Sequence, residues 1–108
     1  MNNPENLFDS IVSALLRTAK WRRGIAMRYS GDPRNDRSAD TLSKMAKEAT
    51  GLTEEQWLAL QPLYDWSWYD VVSESAKRVG FSVHIRTFDE FIEHLVQTLQ
   101  QRRSVAAA

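Results

Sequence analysis

Apolar residues recur at helical spacing through most of this chain, and cap signals divide the pattern into short units. Leu7, Phe8, Ile11, Val12, Leu15 and Ala19 follow the 3.6-residue period, with Asp9, Ser13, Arg17 and Lys20 on the opposite side. Asn3 is suited to cap this helix, Pro4 to its first position, and Glu5 to its first turn. The same register sets Arg22 and Arg23 on or beside the apolar stripe before Ile25, Ala26 and Tyr29 restore it. The helix therefore either bends near Gly24 or runs on to about residue 29 with Arg22 reaching for water. Residues 30–36, rich in Gly, Asp, Pro and Asn, read as a loop.

A second helix is expected after Ser38 as its cap, with Leu42, Met45, Ala46 and Ala49 on one face and Gly51 beyond its end. Thr53 and Gln56 form a capping box that opens a short helix through Trp57, Leu58 and Leu60. From Pro62 to Val79 one further helix places Tyr64, Trp68, Val71, Val72 and Val79 on a stripe, and Gly80 stops it. Phe81, Val83 and Ile85 alternate with polar residues, which fits a short extended connector near 81–85 without a sheet partner. Thr87 and Glu90 form a second capping box. The last helix carries Phe88, Phe91, Ile92, Leu95, Val96 and Leu99, with Arg102 and Arg103 at its negative end. The expectation is an all-α, single-domain bundle of about five helices over residues 1–103, followed by a frayed tail at 104–108. A length of 108 residues suits one such domain.

The chain has no cysteine, which excludes disulfides, thiolate metal sites and thiol nucleophiles. No apolar run approaches the roughly 18 residues of a membrane span. The N-terminus has neither the basic start nor the apolar stretch of a secretory signal, so a soluble, cytoplasmic chain is expected. His94 and Glu90 lie one turn apart but supply only two metal ligands, so His94 is expected to be exposed and without function. There is no Gly-x-Ser-x-Gly elbow and no glycine-rich phosphate loop. No catalytic residue, metal or cofactor is assigned, and a non-enzymatic role is expected.

Charge is segregated although it cancels overall, 14 Lys plus Arg against 14 Asp plus Glu. Residues 17–37 hold seven bases against two acids, a net of +5, and residues 48–74 hold six acids and no base. Two opposed patches of this kind steer a charged partner or favour self-association. Trp57, Tyr64, Trp66, Trp68 and Tyr69 cluster in the acidic stretch. On a helix from Pro62, Trp66 lies about 160° from the core residue Trp68. Trp57, Trp66, Tyr69 and Asp70 are thus the candidates for a contact with a protein partner or a second copy.

The segment from Thr41 to Trp57 resembles bacterial helix-turn-helix segments, with an Ala in the first helix, a Gly in the turn, an apolar residue and then a polar cap. The resemblance implies DNA binding by a degenerate helix-turn-helix at 41–60. Thr50 lengthens its turn, Glu54 and Glu55 open the second helix, and Pro62 limits that helix to about two turns. The alternative function is therefore a nucleic-acid-binding regulator. Its phosphate contacts would come from Lys20, Arg22, Arg23, Arg28 and Arg34, with Trp21 or Tyr29 stacking on a base.

Overall fold

In a computed structural model, which describes residues 3–107, the chain enters its first helix as its caps require. The Asn3 side chain accepts from the Asn6 amide at 2.9 Å, Pro4 occupies the first turn, and α1 runs unbroken over Pro4–Arg28. Gly24 does not interrupt it. Four more helices follow: α2 (Arg34–Glu48), α3 (Glu54–Leu60), α4 (Trp68–Arg78) and α5 (Phe88–Ala107). A 3-10 turn, Gln61–Leu63, follows α3 directly. The described residues contain no strand, and the 81–85 connector makes only one isolated bridge, between Val79 and Val83. The fold is all-α, as the periodicity requires. Helix α5 continues through Ala107, while Ala108 lies outside the described residues.

The core draws on every helix. Leu7, Ile11 and Leu15 of α1 meet Leu42 and Met45 of α2, Leu60 of α3, Trp68 and Val72 of α4, and Phe91 and Leu95 of α5. Phe8 and Phe88 meet edge to face, their ring centroids 5.8 Å apart. Both capping boxes form. Thr53 and Gln56 exchange hydrogen bonds at 2.9 and 3.1 Å, and Glu90 accepts from the Thr87 amide while donating its own amide to the Thr87 hydroxyl.

Helix α2 begins four residues before the expected cap. The Asp32 carboxylate accepts from the Arg34 amide at 3.0 Å and clamps the Arg34 guanidinium at 2.7 Å, and Pro33 already holds φ at −78°. These contacts cap the helix from outside, so residues 34–36 join it rather than the loop. Ser38 does not cap. It is fully buried in α2, and its hydroxyl donates to the Val79 carbonyl at 2.6 Å. That contact needs a close approach, which Gly80 permits. Gly80 adopts φ +81°, and a Cβ there would stand 3.2 Å from Ser38 Cβ.

The long α1 holds α2 and α4 against it, and Arg22 fastens the three together. Its guanidinium lies 3.9 Å from the Phe81 ring centroid and 4.7 Å from that of Trp21. It donates to Asn35 Oδ1 at 3.1 Å and to the Lys77 carbonyl. A base on the apolar stripe is therefore not reaching for water. It satisfies a carbonyl at the end of α4 and holds the Asn35 side chain in the first turn of α2.

Two glycine substitutions test this packing. Gly24→Ala, inside α1 with nothing within 4 Å of the added Cβ, is expected to stabilise the protein by about 0.5–1 kcal/mol in urea unfolding. Gly80→Ala is expected to destabilise it by at least about 1–2 kcal/mol, from its positive φ and the Ser38 contact. The opposite order of stabilities would refute the α2–α4 approach.

Candidate protein-interaction site

The Asp65–Trp68 turn is built to hold one side chain outward. Asp65 Oδ1 accepts from the Ser67 amide at 2.8 Å and from the Ser67 hydroxyl at 2.6 Å, and the Trp68 amide donates to the Asp65 carbonyl at 3.1 Å. Trp68 is then 3% exposed, with its Nε1 donating to Ser10 Oγ at 3.1 Å and its ring 5.6 Å from that of Tyr64. Trp66 sits between these fixed neighbours and is 92% exposed. The expected helix from Pro62 does not form over its first part. Asp65 offers the backbone a local partner that competes with helix, so α4 starts only at Trp68. Trp66 and Trp68 do point to different environments, but turn geometry sets this rather than helical rotation.

A groove of about 250 Å³ lies beside Trp66, lined by Leu63, Asp65, Ser67, Leu99, Arg102 and Arg103. Arg103 donates to the Pro62 carbonyl and so joins the end of α5 to the turn. The two Ser67 hydrogen bonds, followed by the nearby charges of Arg102 and Arg103, hold the Asp65 carboxyl below its ordinary pKa. Sequence reasoning gave Arg102 and Arg103 only a role at the helix end. Nothing local links them to a tryptophan so far back in the chain.

The other aromatic candidates lie elsewhere. Trp57 is half-buried against the core from α3. Tyr69 is half-buried and turned toward α1, with the Arg17 guanidinium 6.0 Å from its ring centroid. It lines a separate groove of about 270 Å³ with Arg17, Thr18, Trp21, Ser73 and Lys77. The Tyr69 hydroxyl is buried there without a hydrogen-bond partner among the described residues. Asp70 is exposed in the first turn of α4, where a carboxylate favours the helix dipole.

The basic candidates are largely engaged. Arg22 is part of the fold, and burial pushes its guanidinium pKa down. Arg23 pairs with Asp40 at 3.1 Å, and Arg34 is held by Asp32. Lys20 and Arg28 are exposed. No ion pair among the described residues joins the basic segment 17–37 to the acidic segment 48–74. Helix α3 has seven residues, carries Glu54 and Glu55 in its first turn, and rests chiefly on the following turn and α5. His94 is half-buried rather than exposed, with the Thr98 hydroxyl 3.4 Å from its Nε2. Burial, and then the Arg78 charge, push its pKa down. Among the described residues no three His, Asp or Glu side chains are grouped to hold a metal, and no helix is long and apolar enough to cross a membrane. No protein-family model, curated protein or solved structure matches the chain.

The two turn carboxylates set an acid dependence. The hydrogen bond from the Arg34 side chain, then that from its amide, pulls Asp32 down to about 2, and Asp65 is depressed as well. A depressed folded-state pKa contributes stability above the unfolded-state pKa and loses it as pH falls through the folded one. Thermal unfolding midpoints should therefore decline from about pH 4 downward. Asp32→Asn should flatten that decline, and an unchanged slope in the variant would contradict the clamp.

Proposed function

We propose that this chain is a small, non-enzymatic interaction module that binds a protein partner or a second copy through the corner around Trp66. The observation that carries the reading is one indole, 92% exposed, on a turn held by three hydrogen bonds and anchored by a buried neighbour. Exposing that much apolar surface on an ordered segment gains nothing for the isolated fold. Tryptophan is enriched among interface hot spots, and a preorganised turn loses little entropy on binding. Leu63 and Leu99 supply an apolar floor beside it, and Asp65, Arg102 and Arg103 supply a charged rim. The reading includes a cytoplasmic setting, with which a chain free of cysteine is compatible. The rival reading, a nucleic-acid-binding regulator using residues 17–37, draws on a weaker set of groups. Arg22, Arg23 and Arg34 already have partners within the chain.

A photo-cross-linking aromatic residue in place of Trp66, expressed in the source cells, tests the proposal. A discrete protein adduct is expected at position 66 and none at Asp36, an exposed position on the first turn of α2. No adduct at 66, or equal adducts at both positions, would overturn it.

A further inference from the structure

We infer that the partner is a second copy of this chain, paired antiparallel along α5. This rests on the reading of Trp66 as a contact residue and names what that residue meets. Asp89, Glu93, Val96, Gln100 and Arg103 succeed one another at steps of four and three residues and so share one stripe of α5. Val96 is half-buried and the other four are exposed. The stripe is acidic at its start and basic at its end, with Val96 seven residues from both Asp89 and Arg103. A two-fold axis through Val96 therefore sets Asp89 of each copy opposite Arg103 of the other. The two pairs lie about 21 Å apart along the helix. Antiparallel pairing also opposes the helix dipoles favourably.

The same axis provides for the indole. Between α3 and the first half of α5 lies an open groove of about 590 Å³, floored by Ala59, Ile92 and Val96 and rimmed by Glu55, Asp89 and Glu93. Trp66 stands beside Arg103 at the other end of α5. The rotation that brings Arg103 to the partner's acidic end carries Trp66 toward that groove. An apolar floor with a carboxylate rim complements an indole flanked by guanidinium groups. Gln56 holds one Asp89 oxygen at 2.8 Å and leaves the other for a cation, and Arg103 uses one nitrogen on Pro62. Because each copy carries both an acidic groove and an indole beside Arg103, the interface is self-complementary. It closes at two copies rather than growing into a filament.

Sedimentation equilibrium of the full chain at low and high salt tests this, with circular dichroism to confirm that each variant is folded. The expected result is a dimer that weakens with salt. Trp66→Ala, Asp89→Arg and Arg103→Asp should each raise its dissociation constant by about tenfold or more. Combining Asp89→Arg with Arg103→Asp re-creates both pairs with exchanged signs and should restore the dimer. A monomer at every concentration and salt, or a double variant as weak as the singles, would overturn the inference. A dimer indifferent to Trp66→Ala would overturn the seating of Trp66 in the groove. An adduct at position 66 with a different protein, from a chain that is monomeric alone, would overturn the second copy and leave Trp66 as the contact.

Discussion

Helix α4 is fastened to α1 at both ends, and the rest of the molecule is arranged around that attachment. At its start the buried Trp68 donates to Ser10, and near its end the Lys77 carbonyl accepts from Arg22. Val71, Val72 and Ala76 fill the space between with apolar contact. The last carbonyls of a helix have no partner within it, and burying them unsatisfied is costly. Here α1 supplies Arg22 for Lys77 and α2 supplies Ser38 for Val79. The helix is closed by side chains from its neighbours, which makes its stability a property of the assembled bundle.

That attachment decides what is left for a surface. With Trp68 fixed and Asp65 closing a turn on Ser67, the backbone at Trp66 has a set direction, and its side chain finds no place in the core. Charge follows the same logic. Much of the basic segment is drawn into contacts between α1 and α2 or within the loop that joins them. The acidic residues of α3 and the first half of α5 keep their charge toward solvent, beside a groove with an apolar floor.

Features carried by neighbours in sequence were legible from sequence alone. Asn3, the Thr53–Gln56 and Thr87–Glu90 boxes, and the stripes of α1 and α5 each depend on residues within a turn or two. Features created by tertiary contact were not. Ser38 has the chemistry of a cap, and only the arrival of Val79 makes it a buried donor. Arg22 on an apolar stripe was visible as a conflict, but its resolution needed Phe81 and Lys77, which lie far along the chain. Trp66 could be separated from the core stripe, although the helix used for that argument is a turn. Its surroundings at Leu99, Arg102 and Arg103 come from another helix and left no local signal.

Trp68, 3% exposed, supports the fold, whereas its neighbour Trp66, 92% exposed, lies outside the core. Urea unfolding of Trp68→Ala and Trp66→Ala, at concentrations low enough to keep the chain monomeric, separates the two roles. Trp68→Ala is expected to lose about 3–5 kcal/mol, the usual range for truncating a buried aromatic. Trp66→Ala is expected to change stability by no more than about 0.5 kcal/mol, as for a surface substitution. Equal losses for the two variants would place Trp66 among the supports of the fold and overturn this division between the two tryptophans.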